Sequence, residues 1–102
     1  MPVEWSDLAK EDLENLISYI GRDSVFYARQ FGEKIVLATR QLTDFPNSGR
    51  PIPEADDELF REIIVQGYRV MYTIEPGRVL ILAVMHGSRN LENPDNQPWK
   101  AP

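Results

Sequence analysis

Apolar residues recur at two different periods along this chain, helical in its first half and strand-like in its second. From Ala9 they run through Leu13, Leu16, Ile17 and Ile20, a stripe of period 3.6 that Gly21 brings to a stop. Ser6 or Asp7 is placed to cap that helix, after a short candidate strand Val3–Trp5. A second start signal, Asp23-Ser24, precedes Ala28, Phe31, Ile35, Ala38, Leu42 and Phe45 at alternating steps of three and four. Two one-sided helices joined this closely predict an antiparallel pair. Gly32 costs the second helix roughly 1 kcal/mol against alanine, a cost accepted where helices approach closely. Pro46–Pro53, with Asn, Ser and Gly between, ends that helix in a loop that Glu54–Glu58 extends.

From Phe60 the period changes. Phe60–Val65, Tyr68–Ile74 and Val79–His86 are rich in β-branched and aromatic residues, and Gln66-Gly67 and Pro76-Gly77 separate them. This pattern predicts two consecutive hairpins. The order is β-α-α-β-β-β, an α+β domain with an antiparallel helix pair packed on a small antiparallel sheet. The domain spans residues 1–91, and 92–102 form a Pro- and Asn-rich, irregular tail. If both turns have two residues, Val65 pairs with Tyr68, Ile64 with Arg69, Glu62 with Met71, Arg69 with Val84 and Met71 with Leu82. Alternation then puts Ile63, Val65, Val70, Tyr72, Ile74, Ile81, Ala83 and Met85 under the helices. Phe60, Glu62, Ile64, Arg69, Met71, Leu80, Leu82, Val84 and His86 share the other face. Pro-Gly favours a type II turn, whose twist suits a tight hairpin poorly, so the second register is the weaker of the two. An apolar face with no covering helix marks a partner site, so this pattern favours a protein that binds another protein.

Length and charge narrow the classes. A chain of 102 residues holds one domain. With no cysteine and a single histidine it offers no disulfide framework and no zinc site, and no cofactor motif appears. No stretch reaches the apolar length of a bilayer span and the N-terminus is not a signal peptide, so a cytoplasmic protein is expected. Net charge is −5, unevenly spread: residues 59–91 carry Arg61, Arg69, Arg78 and Arg89 against Glu62 and Glu75, a balance of +2, leaving −7 for the rest. An acidic body excludes avid, nonspecific DNA binding. The acidic run at 54–58 lacks the spaced ligands and glycine of a calcium loop and reads as a solvated loop. Glu62, Arg69 and His86, expected on one face, could be ordinary cross-strand charge pairs worth ~0.2–1 kcal/mol or a reactive constellation.

The same residues carry a family likeness. The element order, the Val3-Glu4-Trp5-Ser6 start, Phe45-Pro46 with Gly49-Arg50-Pro51, Arg61-Glu62 leading into Gly67–Tyr72, and Leu80–Arg89 with its His86-Gly87-Ser88-Arg89 ending resemble the RelE/ParE superfamily of type II toxin–antitoxin toxins. The likeness is greatest to the ParE branch. Relatives of the RelE kind are ribosome-dependent mRNA endonucleases that carry lysines where this chain has Phe60 and Glu62. A YoeB-like variant of that chemistry uses Glu, Arg and His, which here would be Glu62, Arg69 and His86 as catalytic residues. Relatives of the ParE kind are not enzymes; they inhibit DNA gyrase and block replication. The missing lysines and the acidic charge agree with the ParE branch, for which no catalytic residue is expected.

The resemblance also implies partners. A cognate ParD- or RelB-like antitoxin, encoded alongside, would fold a disordered segment onto the toxin in a helix-in-groove mode. Phe31 and Ile35 on the helix pair and Met71, Leu80 and Leu82 on the sheet are the expected antitoxin contacts, with arginines flanking the groove to meet an acidic tail. Gyrase, or the ribosome and its mRNA under the nuclease alternative, would be met by Arg69, His86, Arg89 and Trp99.

Overall fold

The computed structural model describes residues 1–100; Ala101 and Pro102 lie outside the described residues. Ser6 caps helix α1 (Asp7–Gly21) by accepting from the Ala9 amide, and Ser24 caps α2 (Val25–Arg40) by accepting from the Tyr27 amide. The two helices pack against each other and on one face of a five-stranded sheet. Its strands are β1 (Val3–Trp5), β2 (Arg50–Pro51), β3 (Phe60–Val65), β4 (Tyr68–Glu75) and β5 (Arg78–His86), in the spatial order β1-β5-β4-β3-β2. The fold is α+β, as the periodicity predicts. Two details differ: β1 runs parallel to β5, which makes the sheet mixed, and the loop after α2 contributes β2 at the far edge. Among the described residues no helix is long and apolar enough to cross a membrane.

The first hairpin has the expected register, with Val65 opposite Tyr68, Ile64 opposite Arg69 and Glu62 opposite Met71. Gln66 and Gly67 both have positive φ, 54° and 81°, the conformation of a tight type I′ turn. The second turn also has two residues, with Glu75 opposite Arg78. The register fails further along. Tyr72 faces Ile81 and Met71 faces Ala83, so Leu82 is an extra residue, a β-bulge. Beyond it every side chain of β5 changes face. Val84 joins Val70, Tyr72, Val79 and Ile81 beneath Phe31 and Ile35 of α2, while Ala83 and Met85 move to the opposite side.

That opposite side is not open. Ile52 and Ala55 of the loop, with Leu91 at the end of the domain and Trp99 of the tail, pack with Phe60 around Met71, Ala83 and Met85 as a second core. The tail turns back through two short 3₁₀ turns, Pro94–Asn96 and Pro98–Lys100, and buries Pro98. A hydrogen bond from Gln97 Nε2 to the Leu91 carbonyl, 2.6 Å, ties the two ends of this segment together. Much of the expected exposed sheet face is therefore covered by the chain itself, while Ile64 stays 54% exposed. The physical reason is that Met71 and its neighbours are too apolar to stay in water.

Candidate functional site

The first candidate is the Glu62–Arg69 pair. The Glu62 side chain is fully buried, and its carboxylate accepts from Arg69 Nε at 2.6 Å and from Arg50 Nε at 2.7 Å. Arg69, itself buried, donates from its other two nitrogens to both oxygens of Glu54, at 3.1 and 2.8 Å. This fork-to-fork geometry is the strong form of an ion pair. The hydrogen bond from Arg69 holds the Glu54 carboxyl below its usual range, and Glu54, then Glu62, raises the affinity of Arg69 for its proton against the effect of burial. Every strong donor and acceptor of the pair is engaged inside the protein. Of the carboxylates in the acidic run only Glu54 turns inward; Asp57 accepts from the Leu59 amide, and among the described residues no group of three or more His, Asp or Glu could hold a metal ion.

His86 does not join this pair. The bulge at Leu82 sends it to the helix side of the sheet, opposite Tyr68, with ring centroids 5.4 Å apart in an edge-on contact. Its Nδ1 accepts from the Ser88 amide at 3.1 Å and lies 2.6 Å from the Ser88 hydroxyl. The expected constellation of Glu62, Arg69 and His86 is thus divided between two faces. His86, Ser88 and Arg89 instead form an exposed corner at the end of β5, where Arg89 donates to Asn96 Oδ1 at 3.2 Å. Of the four expected target contacts, His86 and Arg89 lie on this corner, Arg69 is buried elsewhere, and Trp99 is half-buried in the second core.

The expected antitoxin contacts are also redistributed. Phe31 and Ile35 face the sheet and are buried, as is Met71. Leu80 and Leu82 remain half-exposed and line a 460 Å³ cleft with Phe60 and Trp99. A different surface carries the larger apolar opening. Between α1 and α2, on the side away from the sheet, lies a 540 Å³ groove lined by Leu13, Ile17, Ala28, Gly32, Val36 and Leu37. A Cβ at Gly32 would stand 3.0 Å from Ile17 Cδ1, so the glycine forms the groove floor where the helices approach. Arg29 and Arg40 flank it, with Glu33 between them. Leu37, 59% exposed, lies on the groove's rim. Leu13, Ile17 and Ala28 belong to the core stripes as well as to the groove, and Val36 and Leu37 are apolar positions that those stripes leave over.

The chain resembles known proteins in both sequence and shape. A chain from the chromosomal ParDE TA system of P. aeruginosa is similar to it with a TM-score of 0.71 and 18% identity, over 84% of this chain and 95% of that one. No functionally curated protein matches the sequence. Residues 3–91 match the family described as ParE toxin of type II toxin-antitoxin system, parDE, and the chain therefore belongs to the ParE toxin family.

Proposed function

We propose that this toxin arrests replication by inhibiting DNA gyrase, by binding rather than by catalysis. One observation carries the reading: Glu62 and Arg69 are consumed by each other and by Arg50 and Glu54, while His86 stands on the other face. Cleavage of RNA by its 2′-hydroxyl needs a base, an acid and a phosphate-facing cation converging on one atom group. No such convergence forms from these three residues. A neutral, binding-based mechanism asks only for a surface, and the His86–Arg89 corner with the adjoining tail offers one.

A cognate ParD-like antitoxin neutralises the toxin on this reading by laying an amphipathic helix in the groove of α1 and α2, where Arg29 and Arg40 meet acidic side chains. The purified toxin is expected to inhibit gyrase supercoiling and to leave translating mRNA intact. Cleavage of mRNA in the ribosomal A site with supercoiling unaffected would refute the proposal and restore the nuclease alternative.

A further inference from the structure

From Leu80 to Met85, β5 presents six consecutive apolar residues. A strand that is apolar at every position does not distinguish one register from its neighbour, because either face can be buried. Both faces of this sheet carry apolar cores. Hydrophobic burial therefore leaves the register of β5 undecided, and a polar contact must decide it.

The polar contacts lie on the edge of β5 that faces β1. Pairing with β1 ends at Trp5 opposite Ile81. Beyond that point the edge is completed from the cap and first turns of α1. The Ser6 amide donates to the Ile81 carbonyl at 3.0 Å, the Ser6 hydroxyl to the Leu82 carbonyl at 3.2 Å, and the Val84 amide donates to Asp12 Oδ2 at 3.0 Å. Backbone groups of a strand alternate between its two edges. An unbulged β5 would present Ala83 on this edge after Ile81; the extra residue at Leu82 presents Val84 instead. The Asp12 carboxylate thus accepts from an amide that only the bulged register supplies.

We propose that Asp12 is a positioning residue which, with Ser6, selects the bulged register of β5 and so fixes the side of the sheet to which the His86–Arg89 corner is delivered for contact with the target. The two registers have different outcomes. In the bulged one His86 rests on Tyr68, which in turn packs edge-on against Phe31 at 5.1 Å. In the unbulged one Val84 and His86 would turn toward Glu62 and Arg69. Asp12 occupies its place against an opposing tendency: burial pushes its pKa up, while the Val84 amide and the charge of Arg89 pull it down.

The claim about target contact rests on the gyrase reading above; the claim about register does not, and the experiment reads them separately. In the full-length toxin, NMR should detect a coupling across the hydrogen bond from the Val84 amide to the Asp12 carboxyl carbon, with a nuclear Overhauser contact between the His86 and Tyr68 rings. Asp12→Asn retains an accepting oxygen and should keep the ring contact and the inhibition of supercoiling. Asp12→Ala should lose the ring contact, speed exchange of the Val84 amide by about tenfold or more, and weaken inhibition. An unchanged register in Asp12→Ala overturns the selection. A lost register with full inhibition overturns the claim that the corner meets the target and leaves the gyrase reading standing, whereas a wild-type toxin that does not inhibit supercoiling refutes that reading without touching the register. Should Asp12→Ala fail to fold, the wild-type coupling decides: its absence refutes the contact, and its presence, with Asn rescuing both readouts, sustains the proposal.

Discussion

Glu62 shows how much a single side chain can constrain. Its carboxylate is removed from water and held between two guanidiniums, so each partner that is lost leaves charge stranded. Removing one member of a buried ion pair costs about 3–5 kcal/mol, whereas replacing the pair by apolar residues of similar volume is often neutral. Glu62→Ala is therefore expected to lower stability by about that amount in chemical denaturation, and a combined Glu62→Leu, Arg69→Met variant by much less. Glu54 adds a pH signature. Its folded-state pKa lies below the ordinary value of 4.5, so its contribution is present above that pH and fades as pH falls through the lowered folded value. The stability gap between wild type and Glu54→Gln should accordingly close on acidification. The Glu62–Arg69 neighbourhood was legible from sequence because the Gln66-Gly67 turn fixes the register of β3 and β4. Arg50 and Glu54 were not legible, since irregular loop backbone carries no period from which to place them.

At the scale of elements, the same contrast separates what pattern encodes from what it does not. The helix stripes and caps were readable, because an amphipathic helix has only one face to bury. The bulge in β5 was not, since Leu80–Met85 is apolar throughout and the residues that select its register lie some 70 positions earlier, at Ser6 and Asp12. Gly32 was readable as a site of close approach, though not as the floor of the groove. Two effects meet there on substitution. Alanine gains roughly 1 kcal/mol in helix propensity, and its Cβ meets Ile17 Cδ1 at 3.0 Å, the movable end of a flexible side chain. Ile17 lines the groove, so a shift of its methyl away from the new Cβ alters the groove's shape. Gly32→Ala should therefore leave unfolding stability within about 1 kcal/mol of wild type yet weaken antitoxin binding about tenfold, or 1.4 kcal/mol. Calorimetric titration with antitoxin peptide checks this; unchanged affinity would mean that the partner does not reach the groove floor.

Across the whole molecule, the sheet separates two layers with different tasks. The helix layer keeps an open apolar groove flanked by arginines, while the opposite layer is largely covered by the chain's own loop and tail, leaving the smaller cleft at Leu80 and Leu82. Sequence alone expected the sheet face to be open, because the segments that cover it are irregular and show no amphipathic period. The separation makes a prediction about energetics. A partner that binds only the folded toxin stabilises it by roughly 2.7–4.1 kcal/mol at 100–1,000 times its dissociation constant. For a domain of about this size each kcal/mol shifts the unfolding midpoint by roughly 4–8 °C, so excess antitoxin should raise it by on the order of 10–30 °C. Truncation after Glu92 removes the buried Pro98 and takes Trp99 from the second core, and should lower the midpoint of the free toxin. It leaves the groove on the other side of the sheet intact, so the antitoxin-induced rise should persist at nearly its full size. Leu37→Glu is the reverse case: its side chain is largely exposed, so the free toxin should unfold as before, while a charge beside the groove should abolish most of the rise. Thermal unfolding of the three proteins with and without antitoxin tests the separation, and a rise lost on truncation but kept in Leu37→Glu would assign the antitoxin to the tail side of the sheet.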